Sequence, residues 1–135
     1  MYLSVNVDSV CITVICLETL LNRAAIILKY KEPAIRWINE ADPYCEDPGI
    51  AIDSVNDERT VYLISDSDAD SAETIERWIK RNFKALFESE LEGWYADPSL
   101  WPEKLTLKMF REWFEIECHT VLVDTVGEAI YDDGI

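Results

Sequence analysis

Histidine occurs once in this chain, at His119, and glycine only four times. Four cysteines, Cys11, Cys16, Cys45 and Cys118, accompany that lone histidine, and no two of them have C-x-x-C spacing. With no such spacing and a single histidine, a zinc site is not expected, nor is any other metal. So few glycines leave no phosphate-cradling loop, and neither G-x-S-x-G nor H-E-x-x-H is present. No catalytic residue is assigned from motifs. Basic residues are also scarce, 12 against 27 acidic ones, for a net charge of -15. That field repels nucleic-acid phosphates and anionic membrane surfaces, so neither is expected as a partner.

Long apolar runs are missing too. The longest, Val10 to Leu17, falls well short of the ~20 residues that span a bilayer. The segment around it has no basic n-region and contains Asp8 and Glu18, so it reads as neither a signal peptide nor an anchor. A reducing, cytoplasmic location suits cysteines that lie mostly in apolar runs.

What the chain does have is 135 residues, 49% of them hydrophobic and 29% charged, which is enough for one domain around one core. Size alone requires no cofactor, and none is expected. "AAIILKY", Ala24 to Tyr30, has the length of a strand. A helix then opens at Lys31-Glu32-Pro33 and carries Ala34, Trp37, Ile38 and Ala41 at helical spacing, until Asp42-Pro43 stops it. Residues 44–59 form a polar connection with one helical turn at most. "TVYLIS", Thr60 to Ser65, is a second strand.

Ile75, Trp78, Ile79, Phe83, Leu86, Phe87 and Leu91 fall on one stripe of a long amphipathic helix that ends near Gly93. Its basic residues, Arg77, Lys80, Arg81 and Lys84, interleave with Glu73, Glu76 and Glu88 as an exposed, charge-paired face. A second helix runs from an N-cap at Thr106 to Phe114, followed by a strand in "EIECHTVLVDTV". This order predicts a two-layer α/β (α+β) domain: a small mixed sheet of three to four strands packed by three helices. The first and last of these strands read as apolar on both faces, which places both inside the sheet.

Three constellations are candidates for chemistry. Asp66, Asp68 and Asp70 alternate like divalent-metal ligands, but the calcium-loop pattern fails because Ser71 and Arg77 stand where glycine and glutamate are needed. Asp70 and Glu73 have capping-box spacing instead. His119 sits beside Cys118, yet neighbours in a strand point to opposite faces and cannot act as a base and thiol pair. Finally, "EGWYADPSLWPEKLTLKMFREWF" holds three of the five tryptophans. Phe110 and Phe114 belong to the core; Trp94, Tyr95 and Trp101 lie outside the periodic segments and either pin a loop or form a binding surface.

Asn22 to Ile26 ("NRAAI"), "TVYLI", "ELEGWYADPSLWP" and "MFREWF" followed by His119 together resemble a family of small acidic bacterial proteins to which no activity is attached. The resemblance covers roughly 22–126 and carries across no catalytic residue. It implies a start at Leu21, where similar proteins have methionine, so residues 1–20 are expected to be an extension outside the native product, 21–126 the domain and 127–135 an acidic tail. Two functions follow as expectations. The leading one is a non-enzymatic cytoplasmic interaction domain that meets a basic protein partner through its acidic surface and Trp94, Tyr95 and Trp101. The rival is a small enzyme or divalent-metal binder using Asp66, Asp68, Asp70 or His119. Oligomeric state is open.

Overall fold

Alternation of side chains along a strand, and their recurrence every three to four residues along a helix, let one sheet face and three helical stripes share a core. A computed structural model describes residues 2–7, 10–16, 20–42 and 52–134, with side chains described in 20–42 and 54–134. Strands β1 (Tyr2–Val7) and β2 (Val10–Cys16) pair antiparallel in a two-stranded sheet of their own. The elements that follow are β3 (Arg23–Tyr30), α1 (Glu32–Glu40), the single turn α2 (Ile52–Val55), β4 (Val61–Ser65), α3 (Ala72–Trp94), α4 (Leu107–Trp113) and β5 (Phe114–His119).

The sheet order is β4-β3-β5, so the small α+β architecture expected from the sequence is present. Its three strands pair antiparallel throughout, with no parallel pair among the described residues. β3 is indeed central, but the last strand is an edge, contrary to expectation. Val121 and Val123 suggested a second apolar face for it, yet β5 stops at His119 and Val121 lies exposed beyond it. Within β5 the alternation is clean. Phe114, Ile116 and Cys118 join the core, whereas Glu115, Glu117 and His119 face away from it.

β3 contributes Ala24, Ile26, Leu28 and Tyr30 to the helical layer, and β4 adds Tyr62 and Ile64 beside them. Across this face lies the stripe of α3, with Ile79, Leu86, Phe87 and Leu91 buried and Ile75, Trp78 and Phe83 packed at its flank. Phe87 is fully buried and meets the rings of Phe110, Trp113 and Phe114 at centroid distances of 5.7, 5.3 and 5.5 Å. Those separations suit tilted and edge-on aromatic packing. Lys31 secures the end of α4, its backbone N–H donating to Trp113 O and its Nζ to Arg111 O, both at 2.8 Å. The Arg111 guanidinium in turn pairs with Glu76 on α3 and holds that carboxyl below its ordinary value.

The start of α3 corrects one expectation. Ser71, not Asp70, is the N-cap, and the capping box pairs it with Thr74 instead of Glu73. Thr74 N–H donates to Ser71 Oγ at 3.2 Å, while Ser71 N–H donates to Thr74 Oγ1 at 2.9 Å. Hydroxyls fill both roles because the 3₁₀ turn Asp66–Ala69 occupies the preceding aspartates and delays the helix by one residue.

Truncating Phe87 removes the ring on which α4 and β5 close. Phe87→Ala is expected to cost about 3–5 kcal/mol, read as a lower urea midpoint with an unchanged slope.

Candidate functional site

Trp94, Tyr95 and Trp101 do not form one surface. After α3 the chain turns back through the 3₁₀ turn Pro98–Leu100, capped by the Asp97 carboxylate accepting from Ser99 N–H. Trp101 Nε1 donates to Tyr95 O at 2.7 Å, and the Tyr95 hydroxyl donates to Ile38 O on α1. From α1, Trp37 Nε1 donates to Leu100 O at 3.0 Å, and its ring meets that of Tyr95 edge-on at 5.2 Å. Tyr95 and Trp101 thus commit their polar groups to clamping the loop onto α1, and both rings are half-buried. Trp101 also walls a shallow cleft with Lys84, Glu88, Glu103 and Lys104, where charges of both signs meet.

Trp94 faces elsewhere. Its Nε1 donates to the Tyr30 hydroxyl at 3.0 Å, leaving the residue 37% exposed at the end of α3. Tyr30 then donates to Glu90 Oε1 at 3.1 Å, and Tyr62 donates to Glu90 Oε2. The Tyr62 hydroxyl oxygen also meets Ser89 Oγ at 3.1 Å. One carboxylate is therefore gripped by two phenols, one per oxygen, from two neighbouring strands. Beside it opens a cavity of about 140 Å³ whose walls include Tyr30, Val55, Glu58, Glu90 and Trp94. Glu58 and Glu90 have no cationic partner among the described residues.

Local sequence explains the assembly. β4 stops pairing with β3 at Val61 opposite Ile27, which leaves the far end of β3 without its neighbour on that side. Asn56 takes that place: its Oδ1 accepts from Tyr30 N–H at 2.9 Å and its Nδ2 donates to Tyr30 O at 3.2 Å. The amide imitates a strand and brings Val55 and Glu58 to the pocket wall. Burial, reinforced by the nearby Glu90 carboxylate, drives the Tyr30 phenol far above its ordinary 10.0. Burial and the hydrogen bond to Glu90 likewise raise Tyr62. Both hydroxyls remain protonated at neutral pH and act as donors; neither is a base.

The rival candidates do not converge. In the 3₁₀ turn, Asp68 accepts from the Ser65 hydroxyl at 2.8 Å and pairs with Arg81 at 3.4 Å, while Asp66 and Asp70 are exposed. Among the described residues no group of three His, Cys, Asp or Glu side chains is placed to hold a metal ion. His119 lies on the outer face of β5, 3.5 Å from Glu117, whose carboxyl is lowered chiefly by its hydrogen bond to Arg59. Cys118 points into the core, and its partial burial raises the thiol. The two do stand on opposite faces. Cys45 lies outside the described residues. No described helix is long and apolar enough to cross a membrane.

Tyr30, Tyr62, Glu90, Glu58 and Asn56 were not singled out from the sequence. A signal existed for Glu90: it stands i+7 from Phe83, i+4 from Leu86 and i+3 from Phe87, a carboxylate in the middle of an apolar stripe. Such a position demands a hydrogen-bonding partner.

The raised phenols have a definite sign in stability. Below about pH 10 both folded and unfolded chains keep these protons, so the phenols add no pH dependence there. Above it the unfolded phenols ionise while the folded ones do not, and stability falls as pH rises. Urea midpoints are expected to drop between about pH 10 and about pH 11, less steeply in Tyr62→Phe. An equal slope in that variant would detach Tyr62 from the effect.

No family model matches this chain, and neither does any curated protein or solved structure, so its geometry alone carries the functional reading.

Proposed function

We propose that this chain is a non-enzymatic protein-interaction domain, cytoplasmic, whose acidic surface receives a basic protein partner. The observation that carries this reading is the pocket at the end of α3, where the carboxylates of Glu58 and Glu90 stand without a cationic partner among the described residues, beside a partly exposed tryptophan. Net charge of -15 adds a field that steers a cationic partner toward any acidic patch and raises the association rate. Aromatic residues flanked by polar groups are the kind of anchor on which interfaces concentrate their energy. Of the three aromatics, Trp94 is the recognition residue; Tyr95 and Trp101 hold their loop against α1.

Affinity capture from the native cell is expected to recover one stoichiometric protein of high isoelectric point, released as ionic strength rises. Trp94→Ala should weaken capture at least about tenfold, the scale of a ~1.4 kcal/mol anchor. Trp101→Ala should act mainly through lower thermal stability. Failure to recover any basic partner at low salt, or capture indifferent to Trp94, would refute the reading.

A further inference from the structure

We propose that the cavity between the end of β3 and the last turns of α3 seats one guanidinium group, an arginine side chain presented by the basic partner. The inference rests on the interaction reading above and names the chemistry that the pocket selects.

Acceptor geometry comes first. A carboxylate offers about four lone-pair directions, and the two phenols take one on each Glu90 oxygen. Each oxygen therefore retains one acceptor direction, and two neighbouring acceptors match the paired N–H groups of a guanidinium fork. An ammonium presents a single point charge and uses that pair less well. The phenols also fix the carboxylate, because Tyr30 is itself held by Trp94 Nε1 and, through its backbone, by Asn56. Little conformational freedom remains to be lost on binding.

Ring placement comes second. Trp94 turns its Nε1 edge inward to Tyr30, with the two rings inclined at 62° and 6.3 Å apart, and stays partly open to solvent. A planar cation beside an indole gains both stacking and cation–π attraction. Glu58 supplies a second carboxylate on the wall, and no basic side chain among the described residues lines the cavity, so its lining disfavours an anion. At about 140 Å³ the space admits the planar head of one side chain but not a folded peptide segment.

The test titrates N-acetyl-arginine amide into the full chain at low ionic strength and follows the Trp94 indole and Gly93 amide signals by ¹H–¹⁵N NMR. N-acetyl-lysine amide and the uncharged N-acetyl-citrulline amide serve as comparisons. Both signals are expected to shift saturably with arginine, several-fold more weakly with lysine, and to be indifferent to citrulline. Glu90→Gln should weaken arginine binding at least about tenfold, matching the loss of one charge-assisted pair. Should Glu90→Gln disturb folding, the exposed Glu58→Gln provides the second variant, with a several-fold loss expected. No shift at tens of millimolar arginine amide, equal shifts with citrulline, or binding unaffected by both variants would overturn the proposal. Failure here with a salt-sensitive basic partner still captured would remove the arginine pocket and leave the interaction reading standing; arginine binding without any captured partner would do the reverse.

Discussion

Everything in this domain hangs on the stripe of α3 lying across the inward face of β3. Ile26 and Leu28 from the strand meet Ile79, Phe87 and Leu91 from the helix, and all five are essentially inaccessible to water. Apolar burial of this kind is the main favourable term in folding, and only here does the chain concentrate enough of it. The remaining elements are fitted to that contact. α4 brings Phe110 against Phe87, β5 follows at once with Phe114, and Lys31 ties the junction back to the end of β3.

Periodicity made most of this legible. Seven apolar residues from Ile75 to Leu91 specified the long helix and its buried side, and Thr106 marked the start of the next one. Both strands of highest apolar content were recognisable, and so was the opposite orientation of Cys118 and His119. Sheet position was less accessible. It depends on which strand gains two neighbours, and the apolar residues after His119 mimicked a second buried face without belonging to a strand. The capping box slipped by one residue because Asp70 and Ser71 are both good N-caps, and only the 3₁₀ turn before them decides between the two.

The pocket was harder still to foresee, since its parts are separated by up to 64 residues and joined by hydrogen bonds that leave no spacing rule. Glu90 alone was readable, as a charge where the helical pattern calls for a hydrophobe. Its partners are tyrosines at strand positions where phenylalanine would fill the same space. Their hydroxyls hold the half-buried carboxylate as a fixed acceptor. Loop aromatics divided likewise on a point no pattern records, namely which polar edge finds a carbonyl: Tyr95 and Trp101 did, and Trp94 found a phenol at the cavity instead.

β4 carries one further consequence. Among the described residues its outer backbone edge has no partner strand, and Val61 and Leu63 are each 53% exposed on the sheet face turned away from the helices. Natural sheets blunt such edges with a lysine, a proline or a bulge, yet "VYLIS" contains none of these. The large negative charge supplies the missing protection at a distance, because two copies approaching edge to edge bring like fields together. Acidity in this chain is then a colloidal safeguard, one that concentrated salt screens and mild acid weakens.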